Sequence, residues 1–256
     1  MNEIIKIATT PALKTPVMLR RLSAAPLWSA AIVSLASVLV FSGWMFEADS
    51  LKRIIPGYTV MNPVTPVAFI LSSIALWLLQ SADTRRIRFA GALAVIVSLI
   101  GLIKLCAIVG LFDIGIDRIL FTDRLFDNVT GQPNRINPNT AFNFLLFGAA
   151  LLLINFKTKR YNFFPSEYLT IAVLLTSFLA IVDYFYDAQS FKTIIALDPM
   201  TIYAALLFFV LAVGLLLSKP EQKIIKELLS HETGGEMARR LFPLVIIIPA
   251  FLGWLG

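Results

Sequence analysis

The chain has 256 residues, of which 58% are hydrophobic and 15% are charged, and its mean hydropathy is +0.81. This composition excludes an ordinary water-soluble domain and is typical of helices embedded in lipid. The net charge is +6. The basic residues lie in short connectors beside apolar stretches, which predicts contact with membrane lipids and excludes nucleic acid as a partner.

The sequence predicts an all-α fold, a polytopic membrane helix bundle of about seven transmembrane helices. A cytoplasmic N-terminal arm is expected over residues 1–24 and a single transmembrane bundle over 25–256. The predicted spans are approximately 26–46, 63–82, 88–111, 138–156, 166–186, 199–218 and 241–256. Most of them reach the roughly 20 apolar residues that cross a hydrocarbon core. In the first span, Trp28 and Trp44 are expected to anchor the helix at the two membrane interfaces.

The distribution of Lys and Arg predicts the orientation of the bundle. Fifteen of these residues fall before the first span and after the second, fourth and sixth, whereas six fall in the other connectors. The side that is richer in basic residues is normally cytoplasmic. The N-terminus is therefore expected in the cytoplasm, and the protein is expected to be a multi-pass component of a bacterial inner membrane.

Three spans open with Asn or Asp directly before Pro, and with Thr three residues after the Asn or Asp. The six positions of this motif are Asn62, Thr65, Asn137, Thr140, Asp198 and Thr201. Asn and Asp cap helix N-termini, and Pro is favoured at the next position because its missing N–H would be unpaired there. Because consecutive spans alternate in direction, the three starts are expected on one side of the membrane.

The three starts have two interpretations. Converging helix N-termini can hold an anion or a polar ligand, which makes the six motif residues candidate ligand-binding residues. Alternatively, each motif only caps a helix that begins at the interface. Asn143 lies one turn inside the fourth span and favours the first interpretation, because a buried amide needs an interhelical partner.

The same starts indicate an internal repeat. An outward helix, a partly apolar outer loop and an inward helix occur three times, which predicts three repeated helical hairpins around a shared axis. Aligning the hairpins on their Thr residues places Phe69, Phe144 and Ala205 at one equivalent position.

Small residues recur on one face of the third span. They are Gly91, Ala94, Ser98 and Gly101, each three or four residues after the last. Such a smooth face lets another helix backbone approach closely. The pattern predicts that the third span packs tightly against a neighbour.

Lys104 is the only ionisable residue well inside a predicted span. A charge in the membrane is energetically expensive, so Lys104 is a candidate functional residue, paired with Asp113 or Asp183. The alternative is a lysine whose ammonium group reaches the outer headgroups along its flexible stem.

The sequence predicts no metal site and no cofactor. The acidic residues of the longest outer loop lack EF-hand spacing, and Arg118 and Arg124 can neutralise them. A single cysteine, Cys106, and a single histidine, His231, exclude a multi-cysteine metal site and a bis-histidine haem. The sequence does not decide whether lipids or pigments are bound.

Several stretches resemble a known family. They lie at 43–46, 62–65, 112–121, 137–141 and 214–221, with Gly-Gly-Glu-Met-Ala-Arg-Arg-Leu at 234–241 and Leu-Gly-Trp-Leu at 252–255. They resemble the N-terminal multi-helix membrane module that precedes PAS, histidine-kinase or diguanylate-cyclase regions in bacterial signalling proteins. The resemblance implies a membrane sensor portion. In such proteins the chain continues through an eighth helix into a cytoplasmic output region.

These observations favour a non-catalytic sensory or scaffold module whose outer surface binds a ligand or a partner protein. The alternative is an accessory structural subunit of a larger membrane complex, either respiratory or photosynthetic. A small transporter is a third interpretation, although the spans lack a charged or Gly-broken pathway. The expected partners are membrane lipids and other membrane subunits or a second copy of the chain.

Overall fold

The computed structural model describes residues 16–53, 59–127, 131–158, 164–186 and 200–219, which are mostly helical. The helices are α1 (Pro16–Met45), α2 (Asp49–Lys52), α3 (Val64–Leu78), α4 (Thr84–Ile108), α5 (Pro138–Leu152), α6 (Pro165–Tyr186) and α7 (Ile202–Leu217). Between α4 and α5, two 3-10 turns at Ile116–Arg118 and Thr122–Arg124 precede a small antiparallel hairpin. Its strands are β1 (Phe126–Asp127) and β2 (Gln132–Pro133).

Among the residues that the structure describes, three helices are long and apolar enough to cross a membrane, which indicates a membrane protein. The apolar segments are Ala24–Met45 in α1, Thr84–Ile108 in α4 and Pro165–Tyr184 in α6. The other apolar helices, α3, α5 and α7, have 15 or 16 residues and are about 23 Å long at 1.5 Å per residue. The expected all-α class is therefore confirmed for the described residues.

Long and short helices alternate around the bundle. In the order α1, α3, α4, α5, α6 and α7, each helix contacts the next, and α7 returns to α1. The three short helices also contact one another. The long helices expose many apolar side chains, as at Trp28, Leu35 and Leu179, whereas the short helices supply most of the core. This distribution suits a bundle whose long helices meet lipid.

Three phenylalanines meet where the short helices contact one another. Phe69, Phe144 and Phe208 are fully buried, and their ring centroids lie 4.6–4.9 Å apart with interplanar angles of 60°. This edge-to-face arrangement directs the positive ring edges at the negative ring faces. The third member is Phe208, so the expected equivalence of Ala205 with the other two phenylalanines is wrong.

The register differs because α7 begins at Ile202, later than the predicted start at 199. Thr201 caps this helix, since its Oγ1 accepts a hydrogen bond from the Ala204 amide at 3.4 Å. Each of the three phenylalanines lies seven residues after a capping side chain. These side chains belong to Asn62, Asn137 and Thr201. Asp198 and the predicted seventh span, 241–256, lie outside the described residues.

The tightest helix pair is α4 with α5. A Cβ atom added to Gly101 would overlap the backbone of Ala141 and Leu145, and one added to Gly148 would overlap the backbone of α4. Ser98 Oγ also donates a hydrogen bond to the Leu145 carbonyl at 3.5 Å. The predicted close packing of the small-residue face is confirmed at Ser98 and Gly101. A Cβ at Gly91 would meet open space.

The helix bounds otherwise lie close to the predicted spans. The main difference is at the N-terminus, where α1 already begins at Pro16, within the predicted arm. The short helices end before the predicted bounds of their spans, α3 at Leu78 and α5 at Leu152.

Candidate functional site

The connectors after α1 and α4 pack together over the ends of the bundle where α3 and α5 begin. We call residues 46–53, 59–63, 109–127 and 131–137 the loop layer. Its members are joined by hydrogen bonds and ion pairs between segments far apart in the sequence. The loop layer is thus an ordered part of the fold, attached to several helices at once.

A buried ion pair attaches the loop layer to α4. Lys104 Nζ donates a hydrogen bond to Asp117 Oδ2 at 2.6 Å, and both residues are more than nine-tenths buried. Gly115, whose φ of +67° suits glycine, reverses the chain just before the turn that carries Asp117. Desolvating two charges is offset only when they contact each other directly, as here.

This geometry corrects the expected partner of Lys104 and the alternative in which its ammonium group reaches the headgroups, whereas a functional role for Lys104 stays a prediction. The ammonium group does not reach the headgroups, because it is buried against Asp117. The expected partner Asp113 instead accepts a hydrogen bond from Arg118 at 3.1 Å. The sequence-based reasoning overlooked Asp117 because a 13-residue separation across an irregular loop gives no spatial signal.

Asn62 joins the start of α3 to the loop layer. Its Oδ1 accepts a hydrogen bond from the Val64 amide at 3.0 Å, so its side chain satisfies the first amide of α3, although the residue directly before that helix is Pro63. Its Nδ2 donates to the backbone carbonyls of Asp117 at 3.1 Å and Asn134 at 3.4 Å. One buried side chain therefore fixes a helix start, the turn that carries the ion pair, and the segment before α5.

A second ion pair joins the two connectors. Arg53 Nη2 donates to Asp127 Oδ1 at 3.0 Å, and the Asp127 side chain is only 2% exposed. Arg53 follows α2, whereas Asp127 ends β1. The pair therefore holds the small hairpin against the segment that follows α1.

Trp44 lies beneath these contacts at the end of α1. Its Nε1 donates to the Met61 carbonyl at 3.0 Å, and its ring stacks on Phe121 with centroids 6.0 Å apart. Lys52 Nζ lies 5.1 Å from the ring centroid, within cation–π range. Trp44 is buried, so the expectation that it anchors α1 at a membrane interface is wrong, whereas Trp28 is exposed.

An open pocket of about 290 Å³ lies in the loop layer. Its buried lining consists of Trp44, Val60, Leu125, Asp127 and Asn134. Its more exposed lining consists of Glu47, Asp49, Lys52, Arg53, Arg124 and Phe126. Asn134 Nδ2 donates to the Val60 carbonyl, whereas its Oδ1 has no hydrogen-bond partner among the described residues.

Salt bridges neutralise the charges around this pocket. Asp49 accepts a hydrogen bond from Lys52 at 2.8 Å, and Glu47 pairs with Arg124 at 2.9 Å. The hydrogen bond from the Lys52 ammonium, together with its positive charge, lowers the pKa of the Asp49 carboxyl below its ordinary value. Asp49 is therefore ionised at neutral pH.

The remaining described motif residues lie at the starts of their helices. Asn137 Oδ1 accepts from the Asn139 amide at 2.9 Å and caps α5, and Thr201 caps α7. Thr65 and Thr140 are buried within the first turns of their helices. The described caps are bonded to amides of their own helices, as the capping interpretation expects. An anion site at these starts stays a prediction.

Asn143 has the interhelical partner that its position predicts. Thr176 Oγ1, on α6, donates to Asn143 Oδ1 at 2.7 Å. Asn143 Nδ2 lies 3.9 Å from Met200 Sδ, just before α7. The amide therefore links α5 to two neighbouring segments in the core, away from the pocket in the loop layer.

Sequence reasoning missed Trp44, Arg53 and Asn134 as candidate functional residues.

Among the residues that the structure describes, no three His, Cys, Asp or Glu side chains converge where they could hold a metal ion. Comparison of the chain with protein families, curated proteins and solved structures finds no match. The candidate site is therefore identified only by the geometry of the loop layer.

Proposed function

We propose that this protein is a non-catalytic sensory or scaffold module of a bacterial inner membrane. In this proposal it is multi-pass, its N-terminus is cytoplasmic, and the loop layer lies on the outer side. The observation that carries the proposal is the attachment of the loop layer to α4 through Lys104 and Asp117 and to α3 through Asn62. A binding event on this surface would act on several helices at once.

The pocket supports the sensory role because the residues that line it are attached to different helices. Trp44 belongs to the last turn of α1, whereas Asp127 and Asn134 precede α5. A ligand that prefers one spacing between these groups would favour one arrangement of the helices, because only differential affinity can shift a conformational equilibrium.

The proposal includes three repeated helical hairpins around a common axis. Phe69, Phe144 and Phe208 support it, since each lies seven residues after the capping side chain of its helix. The alternation of long and short helices around the bundle supports it independently.

The proposal can be tested by measuring whether the loop layer affects the opposite end of the bundle. Spin labels are attached at Ala82→Cys and Lys157→Cys in a Cys106→Ser background, in lipid nanodiscs. The inter-label distance distribution is then measured by electron paramagnetic resonance. We expect Arg53→Gln, which breaks the ion pair between the two connectors, to shift or broaden this distribution.

Arg118→Gln provides the matched control, because Arg118 forms an exposed and local ion pair with Asp113 in the same loop layer. We expect the control to reproduce the parent distribution. Identical distributions for Arg53→Gln, Arg118→Gln and the parent would count against transmission through the helices.

An accessory structural subunit is the second candidate, favoured by exposed apolar residues in the loop layer. Phe46 and Leu111 are 77% and 72% exposed, and Ile114 and Ile119 are also exposed. Such residues suit either the interfacial region of a bilayer or another subunit. Native electrophoresis of gently solubilised membranes distinguishes the two functions. A complex of fixed stoichiometry with other membrane proteins would favour the subunit, and migration as the chain alone would favour the sensory module.

A further inference from the structure

One edge of the loop layer exposes a run of apolar side chains. We call residues 109–114 together with Ile119 the apolar edge. Its large apolar members are each about half exposed or more, and they are Val109, Leu111, Phe112, Ile114 and Ile119. A contiguous exposed apolar surface of this kind marks contact with lipid or with another protein.

The apolar edge continues the exposed apolar face of α4. Ile96, Leu99 and Leu102 are exposed on one face of this helix, each three residues after the last. Val109 follows Leu102 by seven residues, or two helical turns, and so falls on nearly the same face. The face that α4 would present to lipid as a membrane-spanning helix therefore leads directly into the apolar edge.

The length of α4 places the apolar edge at a membrane interface. Arg88 is exposed near the start of α4, and Ile108 ends it. The two residues lie about 30 Å apart along the helix axis at 1.5 Å per residue, which matches the thickness of a hydrocarbon core. When the Arg88 guanidinium lies at one interface, Ile108 lies at the other. The apolar edge then begins at the boundary between acyl chains and headgroups, where apolar and aromatic side chains are favoured.

The charges beside the apolar edge are paired. Arg118 Nη2 donates a hydrogen bond to Asp113 Oδ2 at 3.1 Å, and Asp117 is buried against Lys104. Residues 108–119, all of which the structure describes, therefore carry no charge without a partner. A surface whose charges are neutralised locally enters the interfacial region of a bilayer more readily than one with unpaired charges.

We propose that the apolar edge inserts into the outer leaflet of the bilayer and that lipid is the partner that covers it. This assignment rests on the proposed function, which places the loop layer on the outer side, and it names the partner of that surface. Leu111, Phe112 and Ile114 enter the region between the headgroups and the acyl chains. Three residues after Ile114, Asp117 pairs with Lys104. The loop layer is then attached to lipid on one side and to α4 on the other.

Insertion is measured with nitroxide labels on the full chain in nanodiscs of phosphatidylcholine and phosphatidylglycerol. Single labels are attached at Leu111→Cys and Ile114→Cys in a Cys106→Ser background. The two replaced side chains are 72% and 63% exposed, so the labels leave the core intact. Power saturation in electron paramagnetic resonance compares collisions with oxygen, which concentrates in lipid, and collisions with a water-soluble nickel chelate.

We expect the ratio of oxygen to nickel collisions to be several-fold higher at Leu111→Cys and Ile114→Cys than at Asp123→Cys. Asp123 is the matched control, because it is an exposed polar residue of the same loop layer. A ratio at both edge positions equal to that of the control would place the apolar edge in water and overturn the assignment.

Low collision rates with both reagents would also overturn the assignment, because protein would then cover the apolar edge. Spin–spin broadening that disappears on dilution with unlabelled chain would identify that protein as a second copy.

Failure of insertion and failure of the sensory role are distinguishable. The distance between labels at Ala82→Cys and Lys157→Cys reports transmission through the helices, whichever molecule covers the apolar edge. The collision ratio reports lipid contact whether or not the helices transmit a signal. Labelling of Asp123→Cys from outside the cell membrane reports separately on which leaflet the loop layer meets.

Discussion

Lys104 on α4 and Asp117 in the loop layer form a direct ion pair, with 2.6 Å between Nζ and Oδ2, in surroundings that exclude water from both side chains. The ammonium group therefore helps to hold the loop layer onto the helix bundle. If one member of the pair were removed, the other would remain as a buried charge without an ion-pair partner.

Removing one member of this pair should be strongly destabilising. We expect Lys104→Met to lower the free energy of unfolding by about 3–5 kcal/mol, because Asp117 would be left buried and unpaired. Thermal unfolding in detergent micelles, followed by circular dichroism, measures this change.

The double variant Lys104→Met with Asp117→Leu is expected to lie closer to the parent, since it removes both charges. Arg118→Gln is the exposed-pair control and should cost about 0–1 kcal/mol. Equal losses for Lys104→Met and Arg118→Gln would contradict the buried ion pair.

The cluster of three phenylalanines should contribute strongly to stability. Phe144→Ala is expected to cost about 3–5 kcal/mol, because it leaves a cavity between the three short helices. Phe142→Ala, two residues earlier on the same helix, changes a side chain that is 42% exposed and should have a much smaller effect. Similar unfolding temperatures for the two variants would argue against the observed core.

The glycines at the contact between α4 and α5 should not tolerate a methyl group. Gly148→Ala would place its Cβ against the backbone at Ala94 and Ser98, and is expected to cost about 1–3 kcal/mol through forced backbone shifts. Gly91→Ala is the matched control on α4. It meets open space and should be neutral or stabilising by up to about 1 kcal/mol, since alanine favours the helix. Chemical denaturation of the two variants compares these effects, and equal stabilities would be inconsistent with the close approach of the helices.

Cysteine labelling tests the proposed topology. In a Cys106→Ser background, Asp123→Cys in the loop layer should react with a membrane-impermeant maleimide added to intact spheroplasts. Lys157→Cys, beyond the end of α5, should react only after the membrane is opened. Both positions are exposed in the fold, so burial does not limit the reaction. Labelling of both from the same side would contradict alternating spans.

Local features of the sequence predicted several parts of this structure. Asn62 and Asn137 were recognisable as caps because a cap is satisfied within its own first helical turn. Asn143 was expected to have an interhelical partner because a buried amide is costly without one, and Thr176 supplies it. The identity of that partner depends on the packing of α6, which no local pattern encodes.

The candidate site was much less predictable. Trp44 was expected at a membrane interface on the basis of residue type and spacing, but the loop layer covers it. Arg53 and Asp127 are 74 residues apart, and only the folding of both connectors over the bundle brings them together.

The sequence by itself determined the apolar helices and most of their starts, because lipid solvation and capping act over one or a few helical turns. The tertiary structure alone decided that Lys104 pairs with Asp117, that Phe208 joins Phe69 and Phe144, and that Asn134 lines a pocket. These relationships depend on how irregular connectors return to the bundle. Their energies arise from burial and contact between distant residues, which residue spacing along the chain does not specify.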